Sequence, residues 1–108
     1  MVAVLSLGAC APQEPITVGA DTVIVDVRTP AEYAAGHLDG AVNIDVSAPD
    51  FRDAIAKLPV DGEYIVYCQS GKRSAKAVSI MSDSGLEKLT DAGALGNAST
   101  ATGIQIVK

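Results

Sequence analysis

The run Cys68-Gln69-Ser70-Gly71-Lys72-Arg73-Ser74 holds the parts of a nucleophile: a thiol, a glycine able to take positive φ, two cations and the start of a helix. A tight loop of this kind turns successive backbone N–H groups inward as a nest, and the dipole of the following helix adds positive potential. Both favour an anion, so the Cys68 thiol is expected to titrate below its ordinary value of about 8.5 and to be largely ionised near neutral pH. Lys72, Arg73 and Lys76 fall within nine residues that contain no acid. Cations confined to one loop suit a small anion bound close by, because screened fields fade over about 10 Å. On the residues alone, a buried cysteine serving as a small hydrophobe before a solvated helix start remains the alternative.

Four further residues bear on that loop. Asp26 and Arg28 follow an apolar run, and charges at a buried strand end must be paired or hydrogen-bonded. They are expected to tie the strand end to neighbouring loops, with Arg73 facing Glu32 or Asp26; direct contact of Arg28 with an anionic substrate is the alternative. His37 is the single histidine, and its ordinary pKa of about 6.5 suits a general base. A thiolate needs no base to attack, so His37 is expected to fix a turn by hydrogen bonding. One histidine and two distant cysteines, Cys10 and Cys68, give no metal-ligand spacing, and neither a metal nor a cofactor is implied.

Thr22–Val27 (TVIVDV) reads as a strand buried in a parallel sheet. Pro30 sits where a helix begins, with Thr29 as N-cap, Ala31–Ala35 as its body and Gly36 as its stop. Ala41–Val46 is a second strand, and Phe51, Ile55 and Leu58 recur at helical spacing after Pro49 and Asp50. Glu63–Cys68 (EYIVYC) is the clearest strand, and Ala77, Val78, Ile80 and Met81 place a helix from Arg73 to about Asp83. Gly85 ends it; Leu86–Thr90 and Ile104–Val107 are further short strands. Asp91–Gly103, rich in Ala, Gly, Ser and Thr, resists assignment. Strands alternating with helices predict α/β architecture with a mostly parallel sheet and place Cys68 at a strand-to-helix junction, where such folds gather reactive groups.

The chain has 108 residues, 48% hydrophobic and 19% charged, enough for one core and no more. A net charge of −5 excludes a diffuse electrostatic partnership with nucleic acid or an anionic membrane face. Residues 1–15 are expected to be a signal remnant and tail ahead of the domain. Met1–Ala9 is apolar but shorter than the roughly 20 residues a bilayer span takes. Leu7-Gly8-Ala9-Cys10 resembles a bacterial lipobox, which implies lipidation of Cys10 and an exported, periplasmic or cell-envelope lipoprotein. No Lys or Arg precedes Cys10, so the basic n-region of a signal peptide is missing from this stretch. The alternative is an apolar tail with an incidental cysteine.

Three stretches in order, Asp26-Val27-Arg28-Thr29-Pro30-Ala31-Glu32-Tyr33, Gly36-His37-Leu38-Asp39-Gly40-Ala41-Val42-Asn43-Ile44 and Cys68–Ser74, resemble the rhodanese homology domain over residues 16–108. The resemblance implies a central five-stranded, mostly parallel sheet flanked by helices, with the cysteine in a persulfide-carrying loop. It implies sulfane-sulfur transfer from a thiosulfate-like anion, through a Cys68 persulfide, to cyanide or a thiol, with ping-pong kinetics. The backbone amides of Gln69, Ser70, Gly71, Lys72, Arg73 and Ser74 would surround the sulfur, and Lys72 and Arg73 would orient the donor. A monomer is expected.

Two other functions fit that resemblance: a persulfide carrier or interaction module without small-molecule turnover, and, more distantly, a phosphatase. Phosphatases of similar architecture use C-x5-R; the shorter C-x4-R here suits a single sulfur better than a phosphoryl group. Many relatives carry a Gly-Gly pair and a tryptophan after the active-site helix. This chain has Asp91-Ala92-Gly93-Ala94-Leu95-Gly96 and no tryptophan, a departure that bears on the acceptor.

Overall fold

The computed structural model describes residues 14–108; Cys10 and the lipobox-like segment lie outside the described residues. The elements run β1 (Val23–Asp26), α1 (Pro30–Ala35), β2 (His37–Leu38), β3 (Val42–Asn43), α2 (Phe51–Ile55), β4 (Glu63–Cys68), α3 (Lys72–Asp83), β5 (Lys88–Ala94), α4 (Leu95–Thr102) and β6 (Ile106–Val107). The main sheet is parallel throughout, in the order β3-β1-β4-β5.

Side chains alternate across the sheet with period two, so the apolar run of β4 feeds two cores at once. Tyr64, Val66 and Cys68 face one side, where Phe51 and Ile55 of α2 and Ala77 and Met81 of α3 cover them. Ile65 and Tyr67 face the other, with Leu38, Ala92 and Ala98. Burial on both faces explains why the strand reads as continuous hydrophobicity.

The α/β class stands, but the main sheet has four strands where the resemblance implied five. The last strand leaves it: β6 pairs antiparallel with β2, His37 opposite Val107 and Leu38 opposite Ile106. Gly103 ends α4 at φ +77°, and the chain returns within three residues to β2 instead of reaching a sheet edge. Asp91–Gly103 contains the end of β5 and all of α4. A bulge at Asp91–Gly93 breaks the β5 pattern, and α4 buries only the small side chains Ala98 and Ala101.

Candidate active site

In an open α/β sheet the crevice for ligands opens at the carboxyl ends of the strands, where the connections leave for opposite sides. Here that point lies between β1 and β4. The chain leaves β1 toward α1 and β3 on one flank, and leaves β4 toward α3 and β5 on the other. Asp26 pairs with Tyr67 in the register of these neighbours, so the segment Val27–Thr29 lies beside Cys68–Gln69.

Cys68 is fully buried, and the Gly71 N–H donates to its Sγ at 2.9 Å. Gly71 makes the loop close: its φ of +103° lies in the left-handed region, open to glycine at little cost, and it immediately precedes α3. Burial pushes the thiol up, but hydrogen bonds from the Ser74 hydroxyl and from the Ser74, Gly71 and Ser70 amides outweigh it and leave the thiol below its usual range. Ser74 is itself buried, and its Oγ lies 3.1 Å from the Gly71 carbonyl. Its single hydroxyl proton can serve either that carbonyl or the sulfur. Gln69, Ser70 and Lys72 are exposed and form the rim.

Asp26 and Arg28 form a buried network. Arg28 Nη2 donates to Asp26 Oδ2 at 2.7 Å and to the Gly36 carbonyl at 2.6 Å, and Nε donates to both Asp26 oxygens. The Tyr67 hydroxyl donates to Asp26 Oδ2 at 2.7 Å and accepts from the Leu38 N–H at 3.0 Å. Burial and the adjacent Asp26 carboxylate both push the Tyr67 phenol up, so it stays a neutral donor. Arg28 Nη1 reaches across to the loop and donates to Gln69 Oε1 at 2.8 Å. Asn43 Nδ2 closes the arrangement from below, donating to the Asp26 and Arg28 carbonyls.

Arg73 faces Glu32 rather than Asp26, in a two-pronged pair of 2.8 and 2.9 Å. Thr29 and Glu32 also form a capping box at the start of α1. Arg73, followed by the Thr29 amide, holds the Glu32 carboxyl down at about 2. His37 stacks on Tyr33 with ring centroids 3.8 Å apart, and its Nδ1 lies 2.8 Å from the Tyr33 carbonyl. The structure thus gathers Cys68, the loop to Ser74, Asp26, Arg28 and Glu32 at one rim and engages His37 in the α1–β2 turn. Spacing along the chain assigns no role to Tyr67 or to Asn43, which the fold brings into the network. The alternation along EYIVYC puts Tyr67 opposite Cys68 on the sheet, and that was the available signal.

The family model described as Rhodanese-like domain matches residues 14–93. The chain is 35% identical over 71 residues to the thiosulfate sulfurtransferase PspE of Escherichia coli, 66% of this chain and 68% of that one. It is 37% identical over 67 residues to a probable adenylyltransferase/sulfurtransferase, MoeZ, of Mycobacterium tuberculosis, but the match covers 62% of this chain and only 17% of that longer protein. A solved rhodanese with anions from E. coli superposes with a TM-score of 0.67 at 31% identity, covering 81% of this chain and 98% of that one. Relatives of this kind support a sulfurtransferase type of function. With the family model matching from ahead of β1 through most of β5, and a similar fold in a solved rhodanese, the chain belongs to the rhodanese-like domain family.

Proposed function

We propose that the protein transfers sulfane sulfur from a thiosulfate-like donor to cyanide or a thiol, with Cys68 as the carrier. The observation that carries this reading is the Gly71 N–H directed at Sγ within a loop that lowers the thiol pKa. In the first half-reaction the Cys68 thiolate attacks the outer sulfur of thiosulfate. The Sγ–S bond forms, the bond to the sulfonyl sulfur breaks, and its electron pair leaves on sulfite. In the second, cyanide attacks the outer sulfur of the persulfide, thiocyanate departs and the thiolate returns. No proton is taken from the nucleophile, so no general base is required, consistent with a histidine engaged in a turn.

Burial of Cys68 fits a carrier whose reactive atom changes place. The persulfide carries the attacked sulfur about 2 Å beyond Sγ, toward the acceptor and away from the covered thiol. Among the rim cations, Arg73 has its fork committed to Glu32, which leaves exposed Lys72 to attract the anionic donor. Steady-state assay with thiosulfate and cyanide tests the reading. Parallel double-reciprocal lines and thiocyanate release are expected, both abolished in Cys68→Ser. Sulfur uptake without thiocyanate release would instead mark a persulfide carrier that does not turn over.

A further inference from the structure

We infer that Gln69 reads the oxyanion end of the sulfur donor, and that buried Arg28 aims it. This rests on the sulfurtransferase reading of Cys68 and names a specificity residue for that site. Arg28 is 2% exposed, and its guanidinium offers only N–H donors. Asp26 is fully buried and already accepts from the Arg28 amide, Nε and Nη2 and from the Tyr67 hydroxyl. Its lone pairs are occupied, so the Nη1 edge of Arg28 takes its acceptor from the loop, and that acceptor is Gln69 Oε1 at 2.8 Å. The guanidinium is already paired through Nε and Nη2, and Gln69 supplies the acceptor for its remaining Nη1 edge, where an unmet N–H would be costly.

The consequence lies at the other end of the same carboxamide. Oxygen and nitrogen of an amide group resemble each other in shape, but a partner that can only donate fixes which one faces it. Arg28 therefore holds the Gln69 oxygen inward and leaves Nε2, with two N–H bonds, on the exposed side of the residue that follows Cys68 in the chain. Nε2 has no protein acceptor among the described residues. A neutral, fixed donor at this place suits the sulfonyl oxygens of thiosulfate or an organic thiosulfonate. Those oxygens gain charge as the electron pair of the breaking S–S bond moves onto the leaving sulfite or sulfinate, so the contact strengthens along the reaction. A donor that lacks oxygen, such as inorganic polysulfide, gains nothing from it.

The test measures the rate of Cys68 persulfidation by intact-mass spectrometry, with thiosulfate and with inorganic polysulfide, and compares the ratio of the two rates across variants. Gln69→Leu removes both ends of the amide; Gln69→Glu keeps an acceptor for Arg28 and removes the N–H donors. The thiosulfate-to-polysulfide ratio is expected to fall about tenfold in both variants, the scale of one hydrogen bond to a charged group. Retention of the wild-type ratio in Gln69→Glu would overturn the inference, because Gln69 would then serve only as the acceptor for Arg28. An unchanged ratio in both variants would overturn it equally. Failure of the wild type to take sulfur from either donor would instead remove the functional reading on which the inference stands.

Discussion

Two ion pairs flank the Cys68 loop, and their difference shows how the site is held. Asp26–Arg28, at 2.7 Å, is sealed from water with side chains 0% and 3% exposed. Glu32–Arg73, at 2.8 Å, has about a third of each side chain in solvent, at 32% and 33%. The chemistry is the same, but the surroundings assign the work. The buried pair fixes the junction of β1, β2 and β4 and reaches the loop through Gln69. The outer pair fastens the start of α3 to the start of α1, where it bridges the two helices that follow β1 and β4.

Breaking the buried pair has the largest expected effect. Asp26→Ala leaves Arg28 as an uncompensated buried charge and deprives Tyr67 of its acceptor, at a cost of about 3–5 kcal/mol. Urea unfolding measures it; a loss below that of Glu32→Gln would erase the contrast between the pairs. Gly71→Ala comes next. Nothing lies within 4 Å of the added Cβ, so the cost is backbone strain alone, about 1–2 kcal/mol for a left-handed residue. Sulfur uptake should suffer as well, because relaxing φ withdraws the N–H from Sγ.

The fold was legible where packing dictates composition. β4 was bounded correctly because a strand buried on both faces has few alternatives to β-branched and aromatic residues, and Thr29, Glu32 and Pro30 marked the start of α1 through capping chemistry. The loop was legible through Gly71 and its neighbours. What escaped was set by long-range pairing: β6 joins β2 in a separate sheet, and α4 packs through alanines that carry little periodic signal. The choice between Asp26 and Glu32 as the partner of Arg73 likewise depends on where α1 meets α3, which spacing along the chain does not specify.

Smaller effects sharpen the picture. Ser74→Ala removes a hydroxyl that lowers the thiol, so the pH profile of iodoacetamide alkylation should move upward while unfolding changes little by comparison. Glu32→Gln should cost under about 1 kcal/mol, as exposed pairs do. Glu32 titrates lower in the fold than its ordinary 4.5, at about 2, so the pair contributes fully above pH 4.5 and its contribution is lost as pH falls toward 2. Acid unfolding curves of wild type and Glu32→Gln should therefore converge in that window; an offset that stays constant through it would show that the Glu32 charge is not its source.

The most direct test is the intact mass of the protein after incubation with thiosulfate and removal of the excess. The expected result is a gain of one sulfur atom, absent in Cys68→Ser and reversed by cyanide with release of thiocyanate. An unchanged mass in the wild type, or a gain that persists in Cys68→Ser, would contradict the assignment of Cys68 as the sulfur carrier.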